Sequence, residues 1–146
     1  MLKQGYLLQR NWRDTEAGLE YILWLSSADG PLKLVLQQQQ AICFVPRESE
    51  FATQNFQRKS SELRTQEGEP VDTLYFQRQR DMEDWLDQGS HRYLAYEADL
   101  KPVERFLMER FIRGGVEVSA EWRIENGITT AYNPSIRAAE AEPDLH

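Results

Sequence analysis

Two sets of basic residues stand close to aromatics in this chain. Arg10, Trp12 and Arg13 fall within the short segment QRNWRDT, and Lys101, Arg105, Arg110 and Arg113 recur along KPVERFLMERFIR. A guanidinium can pair bidentately with phosphate, and an aromatic ring can stack on an unpaired base. That combination suits local contact with a single-stranded nucleic acid. Asp99, Glu104 and Glu109 alternate with the second set, so the same arginines can also serve as ordinary ion pairs on a helix surface.

Catalytic constellations are missing from the pattern. The histidines are His91, in the polar turn Gly89-Ser90-His91-Arg92, and the terminal His146. No Gly-x-Ser-x-Gly elbow, zinc-type His-Glu-x-x-His pair or phosphate-binding Gly-x-x-x-x-Gly-Lys loop occurs. Asp81, Glu83 and Asp84 share a helical segment with Arg78 and Arg80, which reads as a solvated, ion-paired face. A two-metal site needs carboxylates that converge from different elements.

The chain has 146 residues, 40% of them apolar, which suits one domain with its own core. Its net charge of −7 argues against a free-standing duplex-DNA binder. Any DNA contact is then local, with other parts of a larger chain supplying positive field. The single cysteine, Cys43, lies between Ile42 and Phe44 and reads as a small buried hydrophobe in a reducing compartment. No apolar run approaches the roughly 20 residues needed to span a bilayer. A soluble, cytoplasmic protein with no membrane partner is expected.

The elements that must position these residues follow from periodicity. Alternation predicts strands over 5–13, 19–26, 32–37 and 41–45. Asp29-Gly30 marks a hairpin turn. The second strand is apolar on both faces and should be covered on two sides. The glutamines at 37–40 read as a polar loop, 47–60 as a short, loosely amphipathic helix, and 62–66 as a strand. A turn at 67–70 leads to a strand over 71–77. A helix over 78–88 buries Met82, Trp85 and Leu86 and stops at Gly89. A strand over 93–97 leads to a second helix. Asp99 caps that helix and Pro102 sits in its first turn. Val103, Phe106, Leu107 and Phe111 form its buried stripe, and Gly114-Gly115 ends it. Val116, Val118 and Ala120 mark a half-exposed strand, and Asn126-Gly127 turns it into a returning strand over 128–132. The sum is an α+β fold in a single domain, with antiparallel β-hairpins followed by a mixed β-helix-β-helix-β portion. Residues 1–134 form the domain, and 135–146 read as a linker or tail.

The segment YEADLKPVERFLMERFI, together with GYLLQRNWRDT and LWLSSADGPLKL, resembles family B DNA polymerases, in particular their bacterial polymerase II branch. The similar segments lie in order across nearly the whole chain and belong to the N-terminal domain of such enzymes. The resemblance implies a non-catalytic domain that braces the exonuclease and palm domains and guides single-stranded template. The parent enzyme would carry DNA-directed nucleotidyl transfer for replication, repair and damage bypass, with 3′→5′ exonuclease activity and Mg2+ as its metal. No cofactor is expected in this piece, which would stop at or just before the exonuclease domain. Neither the Asp-x-Glu nor the Asp-x-Asp motif of the family stands here in a hydrophobic strand. Archaeal relatives sense template uracil in this domain, and Arg105 matches an arginine of that pocket. Pro102 stands where those relatives place an aromatic, so the resemblance extends to template proximity and not to base recognition. The competing reading is a free-standing single-stranded nucleic-acid-binding module of the RNA-recognition type. It would need Trp12, Tyr75 and Phe76 exposed on a sheet.

Overall fold

The computed structural model describes residues 1–51, 56–98 and 102–139. Alternation makes strands of β1 (Leu2–Thr15), β2 (Gly18–Ser26), β3 (Leu32–Gln39) and β4 (Ala41–Pro46). β5 (Phe56–Arg64) and β6 (Pro70–Phe76) precede three short helices, α1 (Gln79–Leu86), α2 (His91–Leu94) and α3 (Pro102–Glu109). β7 (Gly115–Ser119), β8 (Arg123–Glu125), β9 (Ile128–Tyr132) and β10 (Ser135–Ala138) follow. The architecture is mostly β, with three short helices among the described residues.

The described chain divides into two compact units, where the sequence suggested a single domain. The first comprises Met1–Arg13, Glu20–Gln37 and Val103–His146. It is built on a sheet of order β10-β7-β1-β2-β3-β9-β8. β1 and β7 run antiparallel, and β3 and β9 run parallel with Leu34 opposite Ala131. Asn133 secures the parallel pair. Its backbone N–H donates to Val35 O at 2.7 Å, and its side-chain Oδ1 accepts the Gln37 N–H at 2.7 Å. The Asn126-Gly127 turn behaves as expected, with φ of +51° and +78° joining β8 to β9. Leu23, Leu25, Leu34, Leu107 and Val118 form the core.

The second unit comprises Asp14–Leu19 and Gln38–Pro102 and carries the antiparallel sheet β4-β6-β5. Asp14 caps α1: its carboxylate accepts the N–H groups of Gln79 at 2.8 Å and Arg80 at 3.1 Å. Asp14 therefore fills the capping role that the local residue Arg78 leaves open. The Arg78 guanidinium donates to the carbonyls of Thr15 and Glu16. Trp85, 1% exposed, sits among the rings of Phe51, Phe56, Phe76 and His91.

Several local expectations yield to tertiary pairing. The helix expected over 47–60 is replaced by β5 from Phe56 onward, because Phe56–Ser60 register against Phe76–Asp72 of β6. Residues 52–55 lie outside the described residues. The strand expected over 93–97 is α2 followed by a single bridge between Tyr96 and Phe44. β3 runs through Gln39, so the glutamine loop shrinks to Gln40, although Gln38 takes φ +56°. β7, expected to be half-exposed, is buried on both faces over Gly115–Val118, and its two edges pair with β10 and β1. Its Glu117 is held by Gln4 at 3.1 Å and Arg137 at 2.6 Å. The region read as a tail begins with β10, which pairs with β7; residues 140–146 lie outside the described residues. His91, expected on the surface, stacks on Trp85 at 4.2 Å, and its Nδ1 lies 2.8 Å from Trp85 O.

Asp72 on β6 accepts from Arg58 at 2.8 Å and Arg47 at 3.1 Å. Burial pushes its carboxyl up, but the hydrogen bonds and charges of Arg58 and Arg47 outweigh that and hold it below the usual carboxylate range. A lowered folded pKa contributes stability that is present above the unfolded value, near 4, and is lost as pH falls through the folded one. Asp72→Asn should cost about 1–2 kcal/mol at neutral pH and flatten the acid limb of a Tm-against-pH curve below about pH 4. An unchanged acid limb would show that the pair does not act in this way.

Candidate nucleic-acid interface

Arg10 and Arg13 on β1, Arg105 on α3, and Arg110 and Arg113 just past it all fall within the first unit. α3 begins at Pro102 and buries Val103, Phe106 and Leu107 as its stripe requires. Phe106 meets Tyr21 of β2 edge to face, with centroids 5.6 Å apart at 69°. The Arg10 guanidinium on β1 donates to Glu104 Oε2 on α3 at 3.0 Å. Trp12 shares the Arg10 face of the strand and is 40% exposed. Arg13 points to the other face, where it donates to Glu20 at 2.9 Å. Strand parity therefore separates the first set: Arg10 and Trp12 stand on the α3 side, and Arg13 stands away from it.

Arg110 lies over the Phe106 ring, 3.7 Å from its centroid, and donates to Phe106 O at 3.2 Å. Burial pushes the Tyr21 hydroxyl up to about 12, aided by Glu109 and opposed by Arg105 and Arg110. Those three charges therefore act on one buried phenol, Tyr21. Its signal was weak: Tyr21 is one of two aromatics, with Trp24, in a strand apolar on both faces. The structure ties Arg10 to α3 through Glu104, with Trp12 on the Arg10 face of β1, and it lays Arg110 on the Phe106 ring at the end of the same helix. Arg113 is exposed just past α3. Asp99, expected as the helix cap, and Lys101 lie outside the described residues.

The end of α3 departs from expectation. The Phe111 N–H donates to Met108 O at 3.1 Å and the Ile112 N–H to Leu107 O at 3.0 Å, the paired bonds of a Schellman turn. Phe111 occupies the left-handed position that glycine usually takes, at φ +56°. It is 83% exposed instead of buried, and Ile112 packs inward in its place. The Leu107–Ile112 spacing, apolar residues five apart, was the sequence signal for this ending. Gly114 has a different role: a Cβ there would meet the Tyr6 ring at 2.6 Å.

The family described as DNA polymerase II, N-terminal, matches residues 5–40, which contain Arg10, Trp12 and Arg13. DNA polymerase II of Escherichia coli (strain K12) is 34% identical over 131 residues, covering 83% of this chain and 16% of that protein. The chain carries an N-terminal domain of the family B DNA polymerase type. A family B DNA polymerase from the hyperthermophilic archaeon Pyrobaculum calidifontis shares the fold of this family B domain. The TM-score is 0.69 over 97% of this chain and 21% of that one, at 13% identity.

The RNA-recognition arrangement does not form. Phe76 is buried at 1% exposure, and Trp12 lies in a different unit from Tyr75 and Phe76. Among the described residues no three His, Cys, Asp or Glu side chains are placed to hold a metal ion, and no helix is long and apolar enough to cross a membrane.

Proposed function

We propose that this domain is a non-catalytic part of a DNA-directed DNA polymerase, bracing exonuclease and palm domains and guiding single-stranded template. The observation that carries the reading is the Arg10–Glu104 pair, which ties the face of β1 bearing Arg10 and exposed Trp12 to α3, the helix that carries Arg105 and leads into exposed Arg110. Arginines there can lie along a phosphate backbone while the indole meets an unpaired base. Three arginines interleaved with Glu104 and Glu109 suit a passing strand better than tight capture, which agrees with the net charge of −7. The parent polymerase would act in the cytoplasm in replication, repair and damage bypass, with 3′→5′ exonuclease activity. Its Mg2+ would be held by carboxylates of its other domains, as the family resemblance implies.

Titration of the chain with labelled single-stranded DNA over a range of salt tests the reading. Binding should be weak, detectable at low salt, and weaker still in the Arg10→Ala/Arg105→Ala double variant. Its log affinity against log salt should flatten by about 0.7 for each phosphate contact removed. An unchanged slope and affinity would take both residues off the DNA path. Sub-micromolar binding would instead favour a free-standing single-strand binding module.

A further inference from the structure

We infer that Phe111, with Arg110 and Arg113, is a base-stacking contact for single-stranded DNA at the end of α3. The inference rests on the template-guiding reading and adds a residue and a mode of contact to it. Phe111 combines two properties that folding alone disfavours. Its backbone is in the left-handed region, where a bulky side chain is a steric outlier. Its ring is 83% exposed, so burial gives little in return. Residues held in such conformations cluster where they serve a ligand. The paired Schellman bonds and the inward Ile112 fix the turn that presents the ring.

The surroundings favour nucleic acid over a protein partner. Between Arg105 and Arg113 the sequence carries three arginines and one glutamate, Glu109, within a chain of net charge −7. Arg110 and Arg113 lie one and two residues from Phe111 in the sequence and are exposed, and Arg110 is held in place by the Phe106 ring at 3.7 Å. A stacked base on Phe111 would set its neighbouring phosphates within the range of these guanidinium groups. Stacking is indifferent to base identity, as a template guide requires.

The test is a nuclear magnetic resonance titration of the isotope-labelled chain with a short oligothymidylate at low salt. The expected result is shifts at 108–113, with affinity reduced about fivefold or more in Phe111→Leu and retained in Phe111→Trp. Phe111→Gly should lose the same affinity while its Tm rises by a few degrees, since glycine takes the left-handed position without strain. Shifts at Arg10 and Arg105 without shifts at 108–113, or full binding by Phe111→Leu, would overturn this inference and leave the template-guiding reading intact. No shift anywhere would overturn both. Concentration-dependent shifts at 108–113 without DNA would mark a protein contact between copies and overturn the stacking role.

Discussion

Trp85→Ala should lower stability by about 3–5 kcal/mol, with the value falling in the lower half of that range. The indole is 1% exposed and meets His91 at 4.2 Å, Phe51 at 5.1 Å, and Phe56 and Phe76 each at 5.9 Å. Truncation removes the transfer free energy of the largest side chain in the second unit and leaves a cavity that four rigid rings cannot easily fill. One feature pulls the other way. Trp85 Nε1 is buried with no hydrogen-bond partner among the described residues, and removing an unsatisfied donor recovers about 1–3 kcal/mol of desolvation cost. Trp85→Phe, which keeps a ring and removes the N–H, should therefore cost less than about 1.5 kcal/mol. Urea unfolding followed by circular dichroism measures both. A loss below about 1 kcal/mol for Trp85→Ala would mean that the ring cluster does not hold this unit together.

Gly114→Ala should cost about 1–3 kcal/mol through overpacking. An added Cβ would lie 2.6 Å from Tyr6 Cζ, 2.7 Å from Cε2 and 2.8 Å from the hydroxyl oxygen. The backbone cannot easily withdraw, because Gly114 O accepts the Leu7 N–H at 2.8 Å and holds the segment against β1. The ring must move instead. A double-mutant cycle separates this account from a helix-cap role for the glycine. In a Tyr6→Ala background the Gly114→Ala cost should nearly vanish, giving a coupling of about the full single-mutant value. A cap role would leave the cost unchanged whatever stands at position 6. Position 111 supplies the contrast, since there the left-handed φ is real and glycine would relieve it.

Much of the chain was legible before folding was considered. The turns at Asp29-Gly30 and Asn126-Gly127, the buried stripe Met82-Trp85-Leu86 and the buried Val103, Phe106 and Leu107 of α3 depend on φ preference and on side-chain period. Both are properties of neighbouring residues, so adjacent letters are enough to read them. The arginine-rich segments and their family B resemblance were legible for the same reason.

Tertiary structure decided the features whose partners are far apart in the chain. Phe51 and Phe56, spaced five apart, fit no strong period, and registry with β6 made Phe56 part of a strand. Asp14 caps α1 across 65 residues, and Asn133 fastens the parallel pair β3–β9 across 96. Arg10 joins Glu104 and so the α3 face, while Arg13, three residues on, turns to Glu20 on the opposite side. Phe111 and Ile112 both suited the buried stripe by type. The hydrogen bonds that close α3 chose Ile112 for the core and left Phe111 in solvent. The sequence by itself therefore determined which elements could form and what chemistry their residues could offer. Which side chains met, and which ring was left outside, depended on long-range backbone pairing, because a residue's face is set only once its strand or helix end has a partner.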